Sequence, residues 1–343
     1  MEPHWAVSVS PHIRMGKTTA GIMWTVLASL IPAMLLSVYV FGLRGLLVTL
    51  VSVISCMAVE AISQKALGRP VSVSDGSAAL TGVLMAFVIP PGVPYWMPII
   101  GAVAAIFINK ELMGGIGFNI WNPALVGRAI LTAAFPVYMT TAWIAPIDWS
   151  KSGLGAYVSG LDAVSTATPL QVLKQYGFSA LTQQFGDLTT IYQNFFLGIR
   201  PGCIGETSAL LILLGGLFLM IRGIITWHIP VSTIATVAIL SWTFGGETWF
   251  SGQPLVHVLS GGLMLGAFYM ATDYVTSPAV KSAQIVFGIG VGALTVLIRL
   301  KGGYPEGVAY SILLMNCLTP SLDEWFKPQR FAPPKQAPVA AVK

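Results

Sequence analysis

Three sets of residues in this 343-residue sequence have types and spacing suited to chemistry. The first is the run Asp162-Ala163-Val164-Ser165-Thr166-Ala167-Thr168-Pro169-Leu170. Threonine is a favoured N-cap and proline is favoured at the first helical position, so Thr168 and Pro169 predict a helix start running from Leu170 towards Tyr176. Taken plainly, the run is a Ser/Thr turn with its cap. Taken for chemistry, a helix N-terminus offers unpaired N–H groups and the positive end of a dipole, so a phosphate esterified to the Thr168 hydroxyl would be held by backbone. The second set is the ionisable residues inside or beside apolar runs: Glu60, Lys110, Glu111, Arg128, Asp273 and Arg299. A charge at a bilayer centre costs about 2.5 to 3.5 kcal/mol even on the lenient insertion scale, so such residues mark ion paths or partnered sites. Lys110 and Arg128 lie near the ends of their runs, which predicts snorkelling towards water. Glu60 and Asp273 are the ion-path candidates, with pairing to a neighbouring subunit or a structural role as the other readings. The third set is Gly16-Lys17-Thr18-Thr19, which looks like the end of a phosphate-binding loop. That loop needs a glycine five residues earlier, where Pro11 stands, and a preceding strand, so we reject it.

The elements that must position these residues follow from composition. Hydrophobic residues make up 55% of the chain and charged residues only 9%, against about 25% charged in a soluble domain. Such a chain cannot cover itself with a water-facing surface, which excludes a soluble enzyme, a nucleic-acid binder and a disordered protein. The net charge of +5 therefore reads as loop lysines and arginines that set membrane orientation. Cys56, Cys203 and Cys317 are far apart, with no C-x-x-C pair and no histidine at ligand spacing, which argues against a metal centre built by this chain alone. The first residues are too polar for a cleaved signal peptide.

Ten apolar windows are long enough, or nearly so, to be membrane helices: Ala20 to Phe41, Leu43 to Ile62, Ser77 to Ile89, Trp96 to Ile108, Pro123 to Tyr138, Ser208 to Ile221, Pro230 to Phe244, Val256 to Ala271, Ser282 to Ile298 and Tyr304 to Leu318. The third and fourth are short and are separated by Pro90, Pro91 and Pro94, which predicts broken or re-entrant pieces shielded by protein. The expected organisation is a cytoplasmic N-terminus over residues 1–19, a first membrane half over 20–138 and an exterior insertion over 139–205. A second half over 206–320 and a cytoplasmic tail over 321–343, disordered after Phe326, complete it. Twelve of the 18 Lys and Arg residues fall on the N-terminal side, so both termini are expected in the cytoplasm and Thr168 outside. Internal symmetry is hinted at by Asp75-Gly76-Ser77-Ala78 against Glu206-Thr207-Ser208-Ala209. It is hinted at again by Gly114-Gly115 with Asn122-Pro123-Ala124 against Gly261-Gly262 with Ser277-Pro278-Ala279. Each of the Asn-Pro and Ser-Pro pairs predicts a helix start. Two five-helix halves would be related by inversion, with a site at their interface, although chance recurrence in a glycine-rich chain explains the matches equally well. Gly288, Gly290 and Gly292 fit close helix packing, and His228 and His257 sit near helix ends as anchoring groups.

The segment ending at Thr168 resembles the flavin-transferase recognition pattern Asp-x-x-Ser/Thr-Gly-Ala-Thr, with Asp162, Ser165, Ala167 and Thr168 in place and Thr166 where glycine is usual. The resemblance extends further. Ser74-Asp75-Gly76-Ser77-Ala78-Ala79-Leu80-Thr81-Gly82, the run Lys110 to Gly127, the run His257 to Pro278 containing Met270-Ala271-Thr272-Asp273, and Tyr304-Pro305-Glu306-Gly307-Val308-Ala309 before Met315-Asn316 are similar to the NqrB/RnfD family. The match runs from Ser10 to Trp325, and the Ala167-Thr168-Pro169-Leu170 form resembles the Rnf branch.

What the resemblance implies is an all-α integral membrane protein of about ten transmembrane helices, a 5+5 inverted repeat similar to urea transporters. It implies FMN joined through its phosphate to Thr168, with Thr166 as a minor rival attachment point, and in some members a non-covalent riboflavin. It implies a membrane component of a ferredoxin:NAD oxidoreductase complex in the bacterial inner membrane, coupled to Na⁺ or H⁺ movement. Its partners would be the A, B, C, E and G subunits of an Rnf complex, a flavin transferase during maturation, and lipid, with no nucleic acid. The contrasting expectation from the same architecture is a passive channel or permease for a small neutral solute.

Overall fold

In the computed structural model, residues 18–147, 167–206, 208–246 and 248–327 are described, and helices are the dominant regular elements among them. Each of the ten apolar windows is helix, whole or in pieces. Thr18 opens α1 (Thr19–Phe41), its hydroxyl accepting from the Gly21 N–H at 3.1 Å, so this threonine caps a helix and belongs to no phosphate loop. Gly42, at φ 70°, ends α1 and begins α2 (Leu43–Ala66) in a reversal that a side chain would resist. Both helices, together with the later Lys281–Lys301, are long and apolar enough to cross a membrane.

The remaining elements are shorter or broken. Helix α3 (Ser77–Phe87) is 11 residues, about 16 Å, or roughly half of a bilayer's hydrocarbon thickness. All its residues but Leu80 are buried, as a half-span surrounded by protein must be. It lies so close to α2 that a Cβ on Gly82 would stand 2.6 Å from the Val53 Cα. After the proline loop comes α4 (Trp96–Ala102), which continues as a π-wound stretch, Val103–Glu111. The window from Pro123 to Tyr138 is divided into α5 (Pro123–Ala134) and α6 (Pro136–Thr141), because Pro136 has no N–H to carry the helix on. Two helices of the insertion follow, α7 (Pro169–Phe185), kinked at Gly177 (φ 80°), and α8 (Leu188–Leu197), whose Val172, Leu181, Ile191 and Phe195 cluster with Val256 of a later helix.

The second half holds α9 (Ala209–Ile221), α10 (His228–Phe244) and α11 (Pro254–Leu259), then α12 (Leu263–Leu265), which runs into a second π-wound stretch, Gly266–Met270. It ends with α13 (Lys281–Lys301) and α14 (Val308–Trp325). The two halves meet where α1 packs on α9 and α5 packs on α14. As expected for glycines in a packed helix, Gly288 and Gly292 let α13 touch α10: added Cβ atoms would lie 2.9 Å from the Ile229 and Thr233 carbonyl oxygens. One expected helix start is displaced. Asn122 caps α5 by accepting from Ala124 and Leu125, but no helix begins at Ser277-Pro278. The Ala279 and Val280 N–H groups there are taken by the Asp323 carboxylate of α14 at 3.0 to 3.3 Å, and the helix starts at Lys281.

Candidate functional site

Thr168 is the N-cap of α7, in extended backbone at φ −73° and ψ 151°, and its Oγ1 accepts from the Gln171 N–H at 3.3 Å. Pro169 fills the first helical position, so the start read from the sequence is present. Thr168 is buried at 3% exposure, and Ala167 packs half-buried against the α7–α8 cluster. Asp162, Ser165 and Thr166 lie outside the described residues.

Three α7 side chains, Gln171, Lys174 and Gln175, face a cavity of about 500 Å³ closed by Trp143, Tyr304 and Tyr310, with Arg128 and Glu306 also in its wall. Tyr304 and Tyr310 stack with ring centroids 5.6 Å apart. Lys174 Nζ donates to the Gly302, Tyr304 and Ile298 carbonyls at 2.5, 2.9 and 3.4 Å. A cation there meets the negative end of the α13 dipole and fixes α7 against that helix. Desolvation of this ammonium lowers its pKa from the ordinary lysine value.

The ionisable residues singled out in and beside the apolar runs have partners within the chain. Glu60 on α2 is fully buried and forms an ion pair with Lys110 of the π-wound stretch, whose Nζ also donates to Ser77 Oγ at 2.6 Å. Lys110, 4% exposed, therefore does not snorkel: the Glu60 carboxylate and the Ser77 hydroxyl give it a better environment than lipid headgroups. Arg128 does not snorkel either, because its guanidinium pairs with Glu306. Arg299 donates to the carbonyls of His257, Ser260 and Gly261. Asp273 accepts from Thr276 Oγ1 at 3.2 Å and lines an 80 Å³ cavity with Ser77, Lys110, Asn122 and Tyr269. Glu60 and Asp273 thus lie on two sides of one small region, joined by Lys110.

Sequence reasoning missed a second ionisable cluster. Cys203, Glu206 and Glu306 place their ligand-type atoms within 4.8 Å of one another, beside Arg128. The sequence signals only Cys203 and Glu206, three residues apart; Glu306 arrives from another element.

With this geometry in view, the relatives can be compared. The family model described as NQR2, RnfD, RnfE matches residues 6–332. The chain belongs to this family. It is 48% identical over 328 residues to the D component of the proton-translocating ferredoxin:NAD(+) oxidoreductase complex of Clostridium ljungdahlii, covering 95% of this chain and 96% of that one. It is 45% identical over 326 residues to the Na(+)-translocating counterpart of Acetobacterium woodii, covering 95% of each. The D component of an ion-translocating oxidoreductase complex of Stutzerimonas stutzeri is 40% identical over 325 residues, with 90% of this chain and 91% of that one covered. Within the NQR2, RnfD, RnfE family, then, both proton-named and sodium-named relatives stand close to this sequence.

Proposed function

We propose that this chain is the D-type membrane component of an Rnf ion-translocating ferredoxin:NAD oxidoreductase complex, that it carries FMN as a phosphoester on Thr168, and that it relays electrons between its neighbours. The observation that carries the reading is the conjunction of Thr168 at the α7 N-terminus with a large cavity along the next two turns of the same helix. A cavity of about 500 Å³ falls within the roughly 300 to 1,000 Å³ of small-molecule and cofactor sites. Its lining suits a flat, partly apolar ring: Trp143 and the stacked Tyr304 and Tyr310 offer aromatic faces, while Gln171, Gln175 and Arg128 offer hydrogen-bond donors. The Gln171 N–H, now donated to Thr168 Oγ1, is available to an ester oxygen at the same place.

The bound flavin would supply the electron chemistry. The chain's own residues would hold its phosphate at a helix end, keep water from the ring, and fix α7 to α13 through Lys174. The same reading includes a 5+5 inverted repeat with both termini cytoplasmic and Thr168 outside the inner membrane. Coupling to Na⁺ or H⁺ movement requires the two redox states to interact differently with two helix arrangements. Glu60 and Asp273, set about the small cavity beside Lys110, are the proposed ion-path residues. A non-covalent riboflavin and partnership with the A, B, C, E and G subunits belong to the same proposal.

Intact mass of the polypeptide from its native complex should exceed the unmodified mass by one FMN, mapped to the peptide containing Thr168. Thr168→Ala should remove the flavin fluorescence that survives denaturation, and Thr166→Ala should leave it. The reverse pattern would overturn the attachment site. A colourless, unmodified wild-type chain would favour the passive-permease reading.

A further inference from the structure

The Glu206–Glu306 pair has an arrangement that neither the flavin reading nor the Glu60–Asp273 region uses. Glu206 closes a single 3₁₀ turn, Ile204–Glu206, just before α9, and is 8% exposed. Glu306 lies in the segment before α14, its side chain 10% exposed. Each has one carboxylate oxygen, Oε1, that is buried without a hydrogen-bond partner. Among the described residues, no cation forms an ion pair with the Glu206 carboxylate. Arg128 pairs with Glu306. Arg200 donates through Nε and Nη2 to the backbone carbonyl of Glu206 at 3.3 and 2.8 Å and not to its carboxylate. Arg299 is held by the three carbonyls described above. Cys203 is the remaining ionisable neighbour, its Sγ within the same 4.8 Å cluster. Of the other elements packed on the turn, α3 and α12 carry no ionisable side chain, and Tyr39 of α1 is 54% exposed.

From this geometry we infer that Glu206 and Glu306 form a proton-binding site: the pair holds one proton at neutral pH, carried by Glu206, and exchanges it with the 500 Å³ cavity. Two carboxylates this close cannot both ionise cheaply in a buried setting, and only Glu306 has a guanidinium against it. Protonation turns Glu206 from a buried charge with no ion pair of its own into a hydroxyl donor beside the orphaned Glu306 oxygen. Burial, then the Glu306 charge, likewise holds the Glu206 carboxyl above the usual carboxylate range. The guanidiniums of Arg200 and Arg128 act against that proton, but burial and the Glu306 charge are the larger effects. Access is built in. A cavity of about 20 Å³ lined by Arg128, Gly261, Gly262 and Glu306 has room for about one water, and Arg128, Glu306 and Tyr310 also line the large cavity. Gly262, at φ 64°, brings bare backbone against the pair: a Cβ there would stand 3.2 Å from Glu206 Oε1. The site follows from these contacts alone and does not depend on FMN at Thr168.

The test is infrared spectroscopy of the purified complex at neutral pH. The unmodified complex should show the carbonyl stretch of a buried protonated carboxylic acid, sensitive to D₂O exchange and moved by ¹³C-glutamate labelling. Raising the pH should abolish it. Glu206→Gln should remove this band, while Glu60→Gln and Asp273→Asn keep it. If Glu206→Gln does not accumulate, Glu206→Asp should shift the band and free it from the glutamate label. The inference is overturned if the unmodified complex lacks the band, if the band survives Glu206→Gln, or if added Na⁺ at constant pH removes it, which would make the pair a cation site.

Discussion

At the scale of single residues, the buried Glu60–Lys110 pair makes the sharpest demand on the fold. Removing one partner of a buried ion pair leaves an uncompensated charge and costs about 3 to 5 kcal/mol, whereas replacing both by apolar or neutral groups can be nearly neutral. Lys110→Met alone should therefore lower the thermal midpoint of the detergent-solubilised complex markedly, and Glu60→Gln combined with Lys110→Met should recover most of the loss. If single and double variants melt alike, the pair does not hold the α2–π contact together. These residues also show what a sequence can and cannot reveal at this scale. Glu60, Asp273 and Thr168 are visible because a charge in an apolar run, or a hydroxyl before a proline, is anomalous by itself. The pairings are not visible: Lys110 lies 50 positions from Glu60, and Glu306 lies 178 from Arg128. A run-end position therefore points to snorkelling for both cations where the fold supplies carboxylates.

At the scale of elements, close approach between helices depends on glycine. A Cβ on Gly288 would run into Ser232 Oγ and stand 2.9 Å from the Ile229 carbonyl oxygen, so Gly288→Val must push α13 off α10. Overpacking of this kind costs about 1 to 3 kcal/mol; the expected result is reduced yield and a lower melting temperature. Gly303→Ala, with nothing within 4 Å of the new atom, should behave as wild type in the same assay. Lys174→Met should loosen α7 from the end of α13 and raise protease cleavage between residues 167 and 206, because three carbonyls lose their donor. Helix existence is legible from hydropathy, since apolar runs in a chain this poor in charge have few alternatives. The division at Phe135 carries its own sign in Pro136, whereas the shift from Pro278 to Lys281 is not legible, since it turns on a carboxylate 44 residues away.

At the scale of the whole molecule, the described surface is rich in exposed apolar side chains: Leu35 at 63%, Ile54 at 64%, Ile62 at 68% and Ile221 at 86%. They belong on the long or apolar helices and fit contact with lipid or with other membrane proteins. Placing a charge at mid-helix, as in Ile54→Lys, should cost about 2.5 to 3.5 kcal/mol of insertion and reduce the membrane-integrated fraction in an extraction assay. Both halves are needed to complete the structure, since α1 rests on α9 and α5 on α14. The Arg128–Glu306 pair gives that dependence a timetable. Translation at about 5 to 20 residues per second separates the two by roughly 10 to 35 s. Throughout that interval the nascent arginine must be chaperoned by water, headgroups or the insertion machinery. Chains halted before Glu306 would expose an unmatched guanidinium and mark themselves for quality-control proteases.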